Sequence, residues 1–88
     1  MSYENQILIS KRALKELKSI PDKDRESIKN RISKLAFFPL AHLDVKKLKG
    51  MQNIYRLRIG DYRIIFEYNK DERLVKILKL GKRGGIYD

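Results

Sequence analysis

Arg56, Arg58 and Arg63 crowd around the pair Gly60-Asp61, and Arg83 and Tyr87 follow close to the end of an 88-residue chain. A guanidinium is a planar fork of donors that keeps its charge at neutral pH, and it matches a phosphate better than an ammonium does. Several of them fixed around one phosphodiester would hold it and stabilise the charge that develops on its oxygens as it is attacked. RNA carries its own nucleophile, because its 2′-hydroxyl can attack the adjacent phosphate once oriented, with no strict need for a metal. A phenol such as Tyr87, at the end of a basic segment, can stack on an unpaired base or relay a proton. The same residue can equally serve as a terminal aromatic that closes the core.

Other chemistries lack their residues. There is no cysteine, which removes disulfides, thiolate nucleophiles and Cys-ligated zinc, and His42 alone cannot build a histidine metal site. His42 reads as a solvated loop residue. The expected arginine face brings no paired carboxylates with it, so a two-metal nuclease and a glycosidase are set aside, and no cofactor or metal is expected. The 21 Lys plus Arg against 11 Asp plus Glu leave a formal charge of +10, which points to a polyanionic partner. No apolar run approaches the ~20 residues of a membrane span, and Glu4 and Gln6 interrupt any signal-like start. The expected location is therefore cytoplasmic, without a membrane partner.

The length predicts one domain over residues 1–88. Tyr3 to Ile9 reads as a short strand, and Ser10 as the N-cap of a helix over Lys11 to Ile20 whose Ala13, Leu14, Leu17 and Ile20 recur every three or four residues. Pro21 punctuates. Asp22, Asp24 and Glu26 then favour a helix start, Ile28, Ile32, Leu35 and Ala36 continue the helix, and Pro39 ends it near Phe37. Leu40 to Asn53 has no clean period and reads as a basic loop bearing Lys46, Lys47 and Lys49. Strands follow over Ile54 to Ile59, Tyr62 to Tyr68 and Leu74 to Leu80, separated by turn chemistry at Gly60-Asp61 and Asn69 to Arg73. The prediction is an α+β domain of order βααβββ, an antiparallel sheet with a helical hairpin packed on one face.

A two-residue turn at Gly60-Asp61 fixes the register around it. Ile59 should oppose Tyr62, Arg58 should oppose Arg63, Leu57 should oppose Ile64, Arg56 should oppose Ile65, and Tyr55 should oppose Phe66. Alternation puts Tyr55, Leu57, Ile59, Tyr62, Ile64 and Phe66 under the helices and Arg56, Arg58 and Arg63 on the opposite face. Like charges set opposite one another destabilise a sheet, by something on the order of 0.2–1 kcal/mol per pair. Folding alone gives no reason to gather them. The remaining aromatics sort into half-buried strand residues (Tyr3, Tyr55, Tyr62 and Tyr68) and core residues (Phe37, Phe38 and Phe66).

Leu48-Lys49-Gly50, the block from Tyr55 through Arg63, Gly81-Lys82-Arg83 and Tyr87 together resemble the RelE/ParE toxin superfamily, over essentially the whole chain. The resemblance implies a toxin of a type II toxin–antitoxin system. RelE members cleave messenger RNA in the ribosomal A site, and ParE members poison DNA gyrase. The positions of Arg63, Arg83 and Tyr87 match those that contact phosphate and serve the leaving group in ribosome-dependent members, which favours an mRNA interferase using Arg56, Arg58, Arg63, Arg83 and Tyr87. Lys46, Lys47, Lys49 and Lys82 are then expected to contact RNA or ribosome. A gyrase poison and a non-catalytic RNA-binding protein are the alternatives. The implied partners are the ribosome, mRNA and an acidic or amphipathic RelB-like antitoxin, in a higher-order complex such as a heterotetramer. RelE enzymes often carry lysines where this chain has Arg56 and Arg58, and arginine is a poor base. Lys47, Lys49, Lys82 or a ribosomal group are left as proton acceptors.

Overall fold

A computed structural model describes residues 4–40 and 42–82; the expectations placed on Tyr3, Arg83 and Tyr87 concern residues outside that range. The elements are β1 (Gln6–Ile9), α1 (Lys11–Lys18), α2 (Asp22–Lys34), a 3-10 turn (Leu35–Phe37), β2 (Val45–Lys47), β3 (Ile54–Ile59), β4 (Tyr62–Asn69) and β5 (Leu74–Lys82). Ser10 caps α1 as expected: its Oγ accepts from the Ala13 amide at 3.0 Å while donating to the Leu78 carbonyl at 2.8 Å. That second bond ties the start of the helix to the sheet. Asp22 and Asp24 sit in the first turn of α2, where the helix dipole favours negative charge.

The sheet has five strands in the order β1-β5-β4-β3-β2. The α+β class is as predicted, and two details differ. The segment read as a loop contains β2, which pairs antiparallel with β3, and β1 runs parallel to β5, so the sheet is mixed. β2 is too short to show a period, and its pairing satisfies backbone groups that β3 would otherwise leave as a bare edge. Beyond the last β1 partner of β5, Glu16 reaches from α1, and its Oε1 accepts the Leu80 amide at 2.9 Å.

Every cross-strand pair expected around Gly60-Asp61 is present, from Ile59 opposite Tyr62 to Tyr55 opposite Phe66. Gly60 has φ +56°, a left-handed value that glycine adopts at little cost, which is why it opens this turn. Between β4 and β5 the register shifts at Ile65/Phe66: Ile65 pairs with Lys79 and Phe66 with Ile77, leaving Leu78 as an extra residue. This is a β-bulge.

The core lies between the helices and one sheet face, where Leu17, Ile28 and Ile32 meet Leu57, Ile64 and Phe66. Phe66 stacks on Tyr55 with centroids 5.5 Å apart and meets the edge of Phe38 at 5.4 Å. Phe37 departs from its core assignment and is 53% exposed, because the tight 3-10 turn sends Leu35 inward and Phe37 out. Leu14 is likewise half exposed on the outer side of α1. Asn5 is a buried polar residue that the sequence reading passed over. Its Nδ2 donates to the Leu35 and Phe38 carbonyls at 3.0 and 2.8 Å, closing the C-terminal end of the helical segment.

Tyr62 binds sheet to helix, its hydroxyl donating to Asp24 Oδ2 at 3.0 Å. Burial first, then the Asp24 hydrogen bond and the negative charges of Asp24 and Asp61, push its phenol pKa above the ordinary value of 10.0. With the folded value raised, the native state holds the proton more tightly than the unfolded chain does. Stability is therefore fully present below about pH 10 and declines as pH rises through the folded value. We predict that the urea midpoint falls more steeply above pH 10 in the parent than in Tyr62→Phe. Parallel alkaline limbs in the two proteins would refute this.

Candidate functional site

The sheet face turned away from the helices carries cations in rows, and the register defines them. One row runs from Asp44, just before β2, through Arg58 on β3 and Arg63 on β4 to Gly81 on β5. The next runs Lys46, Arg56, Ile65 and Lys79 across the same four segments. Directly opposed side chains of one face lie about 4.5–5.5 Å apart at Cβ, so Arg58 and Arg63 are immediate neighbours. Gly81 contributes no side chain opposite Arg63.

The arginines are held in different ways. Arg58 Nε donates to Asp44 Oδ2 at 2.8 Å, and the Arg58 amide donates to the Asp44 carbonyl at 2.9 Å. Arg56 and Arg63 have no carboxylate partner among the described residues. Among the described residues Arg63 makes only a long 3.4 Å contact to the Tyr62 carbonyl. Arg56 Nε is buried without a hydrogen-bond partner among the described residues, a condition that typically costs about 1–3 kcal/mol. Repulsion between neighbouring guanidiniums together with an unsatisfied donor is what an anion would relieve.

Beside this cluster lies a hollow of about 480 Å³ with a floor of Ile54, Ile65 and Leu78, walls of Leu48 and Met51, and Lys49 and Lys79 at its rim. Ile65 is only 4% exposed although it faces away from the helices, because the Arg56 row and these neighbours cover it. An apolar floor beside fixed positive charge suits a ligand with one flat apolar part and one anionic part.

Of the residues expected at the site, Arg56, Arg58, Arg63 and Lys46 share this face, and Lys49 stands at the rim of the hollow. Lys47 pairs with Tyr55 and Lys82 with Tyr62, which places both on the helix side of the sheet. Lys82 lies over the Tyr62 ring there, 5.9 Å from its centroid. His42 is exposed, as expected of a loop residue. Arg83 and Tyr87 fall outside the described residues. Sequence reasoning missed Asp44 and Lys79. Lys79 follows from the β4–β5 pairing only once the bulge is known, and Asp44 only once β2 is recognised as a strand. No group of three or more His, Asp or Glu side chains among the described residues is arranged to hold a metal ion. No helix among them is long and apolar enough to cross a membrane.

A helical hairpin laid on one face of a small sheet is the architecture of a class of small α+β toxins. The chain belongs to the RelE/ParE toxin superfamily. The model of the ParE toxin of the type II toxin–antitoxin system parDE matches residues 7–87. RelE1 of Methanocaldococcus jannaschii is 37% identical over 81 residues, 90% of each chain. The mRNA interferase toxin RelE of Escherichia coli K12 is 30% identical over 74 residues, 82% of this chain and 76% of the relative. In the crystal structure of the archaeal RelE–RelB complex from Pyrococcus horikoshii, the matching chain is 34% identical with a TM-score of 0.80. That match covers 93% of this chain and 98% of the other.

Proposed function

We propose that this toxin is a single-domain, metal-independent endoribonuclease that cleaves mRNA in the ribosomal A site and so halts translation. One observation carries the reading: Arg56 and Arg63, on adjacent strands of the open face, have no carboxylate partner among the described residues. They would bind the scissile phosphate, Arg58 would add charge stabilisation, and the apolar hollow would take the face of a neighbouring base. Lys46, Lys49 and the remaining basic surface would engage rRNA, and Arg83 and Tyr87 would act at the leaving group. The E. coli relative named an mRNA interferase supports the choice of reaction. The RelE–RelB complex of the archaeal relative supports an antitoxin partner of RelB type. The two would form a higher-order assembly in the cytoplasm.

Toeprinting of a translating ribosome is the test. Purified toxin is expected to give 3′ ends within the A-site codon of a defined message. Intact messages alongside double-strand DNA breaks would select a gyrase poison instead, a reading favoured by the match to the ParE model. RNA binding with steep salt dependence, and no growth arrest, would leave a non-catalytic RNA-binding protein.

A further inference from the structure

Arginine-based cleavage leaves one task unassigned, because a guanidinium or an ammonium has no lone pair with which to take the proton from a 2′-hydroxyl. We propose that Asp44 is the proton acceptor of the cleavage reaction. The inference rests on the nuclease reading above and adds the missing base to it.

Placement separates Asp44 from the other carboxylate of this face. Glu67 sits further along β4, opposite Lys76, beside Asn69 and Glu72 at the far end of the sheet. Asp44 stands at the head of the row that contains Arg58 and Arg63. Two ties fix it there: its carbonyl accepts from the Arg58 amide at 2.9 Å, and its Oδ2 accepts from Arg58 Nε at 2.8 Å. Oδ1 has no hydrogen-bond partner among the described residues, and the side chain is 49% exposed. Engaging Arg58 through Nε leaves both of its terminal nitrogens for a phosphate oxygen. A nucleotide whose phosphate is held by Arg56 and Arg63, with Arg58 beside it, thus brings its 2′-hydroxyl toward a carboxylate oxygen that is already oriented.

The step balances without a metal or a redox partner. The proton of the 2′-hydroxyl passes to Asp44 as O2′ bonds to phosphorus. The bond from phosphorus to O5′ breaks, and the departing O5′ takes a proton that comes ultimately from water, on the side where Arg83 and Tyr87 are proposed to act; the hydroxide left behind takes the proton from Asp44. The products are a 2′,3′-cyclic phosphate and a 5′-hydroxyl. Arg58 and Arg63 stabilise the charge that builds on the phosphoryl oxygens meanwhile.

Asp44→Asn separates this role from mere positioning, since an amide oxygen still accepts from Arg58 Nε but cannot take up the proton. The experiment measures single-turnover cleavage of a defined message on programmed ribosomes, with toxin binding to the same ribosomes followed separately. The expected result is cleavage slower by about 100-fold or more, with binding unchanged, since general-base catalysis typically contributes about 10²–10⁴-fold. Asp44→Ala should be equally slow and should recover activity when formate is added. An Asn variant that cuts as fast as the parent overturns the proposal. So does an Ala variant that formate fails to restore, which would reduce Asp44 to a positioning residue for Arg58. If the parent itself leaves the message whole on the ribosome, the nuclease reading fails first and takes this step with it.

Discussion

Arg63→Ala is expected to abolish growth arrest and to slow ribosome-dependent mRNA cleavage by about 10²–10³-fold, the usual cost of removing one fixed donor from developing oxyanion charge. Arg63 is chosen over its neighbours because no ion pair or short hydrogen bond among the described residues depends on its guanidinium. Its one hydrogen bond among the described residues is the 3.4 Å approach to the Tyr62 carbonyl, whereas Arg58 is bonded to Asp44. Removing it also relieves repulsion with Arg58 directly across the strand, so stability should stay level or rise slightly. Loss of activity with an undiminished urea midpoint would assign Arg63 to the chemistry. A folded Arg63→Ala toxin that still arrests growth at the parental dose would remove the arginine rows from the mechanism.

Phe66→Ala should act through folding alone. Phe66 is fully buried and packs against both Phe38 and Tyr55, so truncation removes the centre of the aromatic cluster and leaves a cavity. The cost is about 3–5 kcal/mol. Small domains have a total stability of roughly 5–15 kcal/mol, so the variant should be partly unfolded at growth temperature. Urea denaturation followed by circular dichroism measures the loss, and a change below about 1 kcal/mol would mean that the site collapses around the missing ring. Arg63→Ala and Phe66→Ala both lower toxicity, but only the second should lower the amount of folded protein.

What could be read in advance was what is local. The α1 start follows from Ser10 and from apolar spacing, and the register of β3 on β4 follows from Gly60-Asp61, because a two-residue turn leaves no freedom in pairing. That register alone brought Arg58 and Arg63 together. Long-range pairing was not legible. β1 lies parallel to β5, far away in sequence, and nothing within either segment encodes the direction of the other. β2 is three residues long and ends in two lysines, so it shows neither alternation nor high strand preference. Asp44 was lost with β2: once Val45 is paired with Leu57, the residue before it must face Arg58, and the carboxylate joins the arginine row. The apolar hollow was hidden for a related reason. Its lining needs Leu78 and Lys79, consecutive residues, on one face beside Ile65, which strict alternation along β5 does not give.

The extra residue in β5 resets odd and even along that strand. Before it, odd-numbered Val75 and Ile77 point into the core; after it, even-numbered Leu80 does, while Gly81 joins the arginine face. With unbroken parity, Lys79 would point at the helices and Leu80 away from them, and Arg63 would sit opposite the Leu80 side chain where it now pairs with a glycine. One inserted position thus lets a single strand fill the hydrophobic interior on both sides of the bulge and still set a glycine, not a leucine, beside Arg63.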